Sequence, residues 1–209
     1  MVKAFLGLLV LDTRFPRLAG DAGRPDSYPM PVRARTVQGA SPRRVVREAD
    51  VTLLQPFIEA ARALVDEGAA AITTSCGFLY RWQAALQGAL PVPVWSSSLL
   101  KLPELARPGV LTVDAPALAP LLPGVPTQGL APGCHLQRVL LDDLPALDAA
   151  TARADAVAAA RALVERHPEL TDLVLECTNL PPHAEAIRQA TGLPVHHLIS
   201  LANERWNAP

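Results

Sequence analysis

Apolar positions along the chain fall into two kinds of pattern. Phe57, Ile58, Ala61, Leu64 and Val65 recur at the spacing of one helix face, and Ala156, Val157, Ala160, Leu163 and Val164 repeat that face 99 residues on. Each set makes one stripe of an amphipathic helix. Short continuous apolar runs at residues 4–11, 69–72, 110–113 and 173–175 read as strands buried on both faces. Residues 136–141 read as a further strand. Two of the strands end alike, in Thr73-Thr74-Ser75-Cys76-Gly77 and in Glu176-Cys177-Thr178. A stretch able to form a helix follows each cysteine, and then Pro93-Val94 or Pro194-Val195. Helix, strand, cysteine, helix and Pro-Val strand therefore occur twice in the same order.

Strands alternating with helices predict an α/β protein with mainly parallel sheets. The duplication predicts two similar lobes related by a pseudo-two-fold, each a parallel sheet flanked by helices, with the active site between them. Residues 1–98, with 198–209 returning, make the first lobe, which carries Cys76. Residues 99–197 make the second, which carries Cys177. Residues 14–42 are rich in Pro, Gly and Arg without a clear period, and a loop of that length in a compact domain is functional or mobile.

Composition narrows the classes of function. The chain has 209 residues, half of them apolar, enough for a sizeable core. With 19 Lys and Arg against 20 Asp and Glu, and only 4 Phe, 3 Trp and 2 Tyr, neither a basic surface nor stacking platforms for nucleic acid are expected. No apolar run approaches the ~20 residues of a membrane helix. Lys3 and the apolar run after it have the start of a signal peptide, but no small-x-small cleavage site follows and Asp12-Thr13-Arg14 ends the run. A buried strand and a cytoplasmic protein are expected, with the three cysteines as thiols.

Cys76 and Cys177 sit at the carboxyl ends of strands, where open α/β sheets bind ligands. The start of a helix after each would lower its pKa and favour thiolate. Two thiols facing each other across one crevice suit a two-base reaction, in which one removes a proton from carbon and the other delivers a proton to the opposite face. Backbone N–H groups at the helix starts, with Thr74, Ser75, Thr178 and Asn179, are candidates to stabilise the carbanion.

The segments Thr74-Ser75-Cys76-Gly77 and Leu175-Glu176-Cys177-Thr178-Asn179-Leu180-Pro181 resemble the two active-site signatures of the aspartate/glutamate/hydantoin racemase superfamily. The resemblance implies two α/β lobes, proton transfer without pyridoxal phosphate or any other cofactor, and a homodimer. It implies a racemase or epimerase acting at the α-carbon of an amino acid or derivative bearing a carboxylate. In well-known members Asn and Thr follow the first cysteine and hold the amino-acid head group. Gly77 and Phe78 stand there in this chain, which argues against free glutamate or aspartate. The segment Asp12-Thr13-Arg14-Phe15-Pro16 follows the first strand, where members often place substrate-contacting groups.

Weaker candidates surround this pair. Ser97 reads either as lining the cleft or as a helix cap, and Arg14, Arg33 and Arg35 as carboxylate clamps or solvated loop residues. Cys134 lies outside the repeat, and no spacing suggests a metal site. A non-catalytic binding protein that kept the cleft is a further reading, against which the two intact cysteines argue, and three other catalytic functions compete. One is a cis–trans isomerase of the same superfamily with a nucleophilic cysteine. Another is a decarboxylase, whose family version keeps a single active-site cysteine. The third is a cysteine hydrolase using His183.

Overall fold

The computed structural model describes residues 4–208. Lys3, on which the leader reading leaned, lies outside the described residues. The chain forms two four-stranded parallel sheets, each flanked by helices. The first half runs β1 (Phe5–Leu11), β2 (Val32–Val37), α1 (Leu54–Asp66), β3 (Ala69–Thr74), α2 (Gln83–Ala89) and β4 (Val94–Trp95). The second runs β5 (Pro108–Thr112), α3 (Ala115–Leu118), β6 (Thr127–Gly129), α4 (His135–Leu141), α5 (Ala149–Arg166), β7 (Asp172–Leu175), α6 (Ala184–Thr191) and β8 (Val195–His197). Strand order is β2-β1-β3-β4 in one sheet and β6-β5-β7-β8 in the other, the same topology twice. A last helix, α7 (Leu198–Trp206), returns to the first sheet, where Ile199, Ala202 and Trp206 pack with Leu6, Leu8, Ala71 and Trp95.

The two halves share a packing device that the repeat did not reveal. A side chain at Gly7 in β1 would lie 2.6 Å from Ile72 Cδ1 and 3.2 Å from Leu64 on α1. One at Gly109 in β5 would lie 2.6 Å from Leu170 Cδ1 and 3.0 Å from Leu163 on α5. Leu64 and Leu163 are equivalent positions of the repeated helix. In each lobe a glycine in the first strand lets that leucine settle onto the sheet.

Two expectations need correction. Residues 136–141 are helical, not extended. Leu136, Val139 and Leu140 are buried on α4, and so are Gln137 and Leu141, so the helix is enclosed on nearly every side. A short apolar run of this kind has no period that separates helix from strand. The segment 14–42 is not a structureless loop, because it contains β2, which pairs with β1 along six residues. β2 is an edge strand whose Arg33 and Arg35 reach Glu67 at the end of α1. Charge on an edge strand prevents pairing with other chains and also hides the strand's apolar signal. Among the described residues no helix is long and apolar enough to cross a membrane.

His197 caps α7. Its Nδ1 accepts from the Ser200 N–H at 3.2 Å, and the Ser200 hydroxyl accepts in turn from the His197 N–H at 3.0 Å. Burial, and then the neighbouring His196, push the imidazole down to about 4. The folded state therefore holds a neutral ring, which the cap requires. Its stabilisation is complete above about 6.5, the ordinary value, and is lost as pH falls from there towards 4, because the unfolded chain takes up the proton first. His197→Asn, which keeps a capping acceptor but does not titrate, should lose on the order of 2 kcal/mol less stability than wild type between pH 7 and pH 4.5. Urea unfolding at the two pH values measures this, and parallel losses in the two proteins would refute it.

Candidate active site

β3 and β7 occupy equivalent places in the two sheets, and each runs directly into a cysteine loop. The loops are fixed to each other by hydrogen bonds. Thr178 Oγ1 donates to the Ser75 carbonyl at 2.6 Å, and Ser98 Oγ donates to the Leu175 carbonyl at 2.7 Å. Ser75 Oγ accepts from the Leu11 N–H at 3.0 Å, and Thr74 Oγ1 donates to the Ser96 carbonyl at 2.7 Å. These hydroxyls are buried and spend their bonds on backbone, so they set the shape of the site.

Cys76 and Cys177 line one pocket, a narrow cavity of about 370 Å³ including its open mouth. Leu11, Phe15, Val46, Val113, Leu140 and Leu141 form its apolar walls, and Ser75, Gly77, Glu176, Thr178 and Asn179 complete the floor around the thiols. Phe15 belongs to the 14–42 segment, which docks against the second cysteine loop. The Ala22 N–H donates to the Thr178 carbonyl at 3.1 Å, and Asn179 Nδ2 donates to Asp21 Oδ2 at 2.6 Å. Asp21 is itself buried and paired with Arg17 at 2.9 Å. The Cys177 thiol lies 3.9 Å from Asn179 Oδ1, as donor to it. A chain of polar contacts thus runs from the thiol through Asn179 and Asp21 to Arg17.

The thiols are not the low-pKa groups that their places before helices suggest. Burial, then the nearby Glu176, push Cys76 up to about 12, although the Phe78 N–H, Arg81 and Arg17 favour its thiolate. Cys177 is raised well above the ordinary thiol range by burial and then Glu176, with Cys76 itself among the smaller causes. The segments after the cysteines begin as 3-10 turns, Gly77–Trp82 and Pro181–His183, which give too little helix to offset desolvation. Glu176 is fully buried, and burial pushes its carboxyl up to about 8. Its Oε2 accepts from Thr112 Oγ1 at 2.6 Å, and its Oε1 has no hydrogen-bond partner.

The remaining candidates sit apart from the pocket. Arg14 is exposed and binds Asp143, and Asp12 is exposed and accepts from the Gly39 N–H at 3.0 Å. Ser97 is buried and caps the 3-10 segment Ser98–Glu104 through the Leu99 N–H. Arg33 and Arg35 lie on the outer edge of the first sheet. Cys134 precedes α4 outside the pocket. His183 is buried, does not line the pocket, and has an unpartnered Nε2. Phe15, from the segment Asp12–Pro16, lines the pocket, whereas nothing in the sequence analysis gives a role to Glu176, Asp21 or Arg17. Only Glu176 left a signal, a charged residue at the end of an otherwise apolar strand.

This arrangement is the two-lobe fold of the racemase superfamily. Allantoin racemase from Pseudomonas fluorescens is 17% identical, with a TM-score of 0.67 over 96% of this chain and 88% of that one. An aspartate racemase homologue from Pyrococcus horikoshii is 14% identical, with a TM-score of 0.58 over 97% of each chain. Unliganded arylmalonate decarboxylase is 20% identical, with a TM-score of 0.57 over 92% of this chain and 86% of that one. No protein-family model matches the chain. Curated relatives resemble it more closely in sequence. A dimethylsulfoniopropionate lyase of Durusdinium sp. clade D is 29% identical over 96% of this chain and 73% of its own length. Dimethylsulfoniopropionate lyase 3 of Emiliania huxleyi is 29% identical over 95% of this chain. The chain spans 58% of that relative, somewhat over half its length.

These relatives support an enzyme and overturn the racemase or epimerase reading with its two-base exchange between Cys76 and Cys177. They are named as lyases, and at 29% identity they outweigh structural neighbours at 14–20% that share the fold. The cis–trans isomerase and hydrolase readings fall with it. The hydrolase reading also lacks a contact between His183 and either thiol.

Gly77 is a steric requirement of the junction. A Cβ there would overlap the Glu176 carbonyl oxygen and lie 2.5 Å from Glu176 Oε1. The obstacle is backbone, so it yields little. Gly77→Ala should cost about 1–3 kcal/mol and lower the melting temperature. Gly88→Ala, at a helical position with nothing within 4 Å, should be neutral or slightly stabilising. Calorimetric scans of the two variants make the test, and an unchanged Gly77→Ala would show that the junction is loose.

Proposed function

We propose that the chain is a lyase that splits dimethylsulfoniopropionate, or a close sulfonium carboxylate, into dimethyl sulfide and an unsaturated acid. The observation that carries this reading is a pair of thiols on the walls of one small apolar pocket, in a chain aligned over 95–96% of its length with lyases of that name.

The substrate dictates the chemistry. Its α-carbon stands next to a carboxylate and is one bond from the carbon that carries the sulfonium. A thiolate from Cys76 or Cys177 removes an α-proton. The electron pair left behind forms the Cα–Cβ double bond, the C–S bond breaks, and its electrons leave on sulfur as a neutral sulfide. The thiol then returns one proton to solvent. Nothing is oxidised or reduced. The α-carbon bears two hydrogens, so there is no configuration to invert and no need for a proton on the opposite face. Elimination thus shares its proton abstraction with a racemase and departs from it in the next step, where a bond to sulfur breaks instead of a bond to hydrogen forming. Negative charge builds on the substrate carboxylate as the α-proton leaves and needs hydrogen-bond donors, for which the backbone N–H groups after the two cysteines are candidates.

Headspace gas chromatography over the protein and dimethylsulfoniopropionate should detect dimethyl sulfide, with acrylate formed in equal amount by NMR. Loss of the thiol that acts as base should lower turnover by roughly 10²- to 10⁴-fold, and Cys76→Ala and Cys177→Ala identify which one that is. Cys134→Ser should keep wild-type activity. Absence of dimethyl sulfide above a protein-free control, in protein that is folded and has reduced thiols, would overturn the reading.

A further inference from the structure

Glu176 has no part in the elimination just described, yet it lines the same pocket as both thiols. Its carboxyl is fully buried among apolar walls, with one oxygen held by Thr112 and the other without a donor. Leaving a buried polar atom unpaired is costly, and proteins rarely keep one without a use. Arg81, whose charge favours the ionised carboxyl, does not supply that donor: its Nε donates to the Phe78 carbonyl at 3.3 Å, and it makes no hydrogen bond to Glu176. Gly77 leaves the space that the carboxyl occupies, since any side chain there would collide with it.

The rest of the lining is equally one-sided. The ionisable side chains among the described lining residues are Cys76, Cys177 and Glu176, each neutral or negative, and no Lys, Arg or His is among them. Phe15 and Phe78 add aromatic rings to the aliphatic walls, and the Arg17 and Arg81 guanidinium groups already lie over them, at 4.8 Å and 5.8 Å from the ring centres. A group that is both positive and apolar fits such a chamber. It needs no hydrogen bonds, its methyl groups pack on the walls, and a single carboxylate balances its charge.

We propose that Glu176 is the counter-charge for an alkylated onium group, so that the pocket selects zwitterionic onium carboxylates over uncharged molecules of the same shape. The proposal rests on the lyase reading for the identity of the onium as a sulfonium, and on the geometry for the rest. Burial disfavours the ionised form of the carboxyl, and the charge of Arg81, which makes no hydrogen bond to it, offsets that only in part. An onium restores that form, and the displaced proton leaves to solvent.

The test is binding without reaction, by titration calorimetry on the full chain at pH 8. The probes are 3-(trimethylammonio)propionate and its uncharged-tail isostere 4,4-dimethylpentanoate. Wild type should bind the ammonium compound on the order of tenfold more tightly, and Glu176→Gln should bring the two within about twofold. Thr112→Val, which keeps the charge, should keep the preference. Equal affinities in wild type, or an undiminished preference in Glu176→Gln, would overturn the proposal. The wild-type comparison stands by itself if Glu176→Gln does not fold. A preserved preference with no dimethyl sulfide produced would retain the onium site and remove the lyase reading. Dimethyl sulfide production with no preference would do the reverse.

Discussion

The two cysteine loops meet where the Gly77 backbone lies against Glu176, and the site is built outward from that contact. A residue with a side chain at position 77 would force the loops apart, because its Cβ would meet the Glu176 carbonyl oxygen. With glycine there, the ends of β3 and β7 close on one another and both thiols face the same pocket. The Thr178 and Ser98 hydroxyls then reach carbonyls of the opposite loop. Each of these bonds needs the close approach and in turn holds it, so the junction is rigid on both sides of the cavity.

That closeness has an electrostatic consequence. Three acidic groups, two thiols and a carboxyl, share one desolvated space, and ionising any of them makes the others harder to ionise. Burial and mutual repulsion therefore push all three towards their protonated forms, and positive charge brought into the site works against that push. The Asn179–Asp21–Arg17 chain lies to one side of this cluster and ties the 14–42 segment to the second cysteine loop. The segment supplies Phe15 to the pocket wall and β2 to the first sheet, so a stretch that reads as loop is part of both the frame and the site.

One scaffold serves racemases, a decarboxylase and, among sequence relatives, lyases. The fold brings two loops from equivalent strands to one crevice, and it says nothing about which bond breaks there. In the proposed reaction that choice passes to the side chains around the thiols. Gly77 and Phe78 follow the first thiol here, and Glu176 and apolar residues line the pocket with them. Side chains around the thiols can set the chemistry of such a site without a change of architecture.

The α/β class, the duplicated lobes and the two thiols were legible in the sequence, because each rests on local regularity. A helix stripe needs only a spacing, and a buried parallel strand only a run of apolar residues, and both recurred about 100 residues apart with a cysteine after the second element. Where local regularity was absent the reading failed: β2 carries arginines on its outer edge, and α4 is enclosed too completely to show a polar face. The thiols' electrostatics also depended on what was not local. Their position before a helix predicts an easier ionisation, while burial by walls drawn from β1, the 14–42 segment and α4 reverses it. Glu176 was visible as a charged residue in an apolar context, but its unpaired oxygen, its contact with Gly77 a hundred residues earlier and its share in a pocket with no cation exist only once the lobes are packed. Periodicity encodes which face of an element turns inward. Which charges meet there, and at what cost, is decided by tertiary contact, because desolvation and pairing depend on every neighbour that folding brings in.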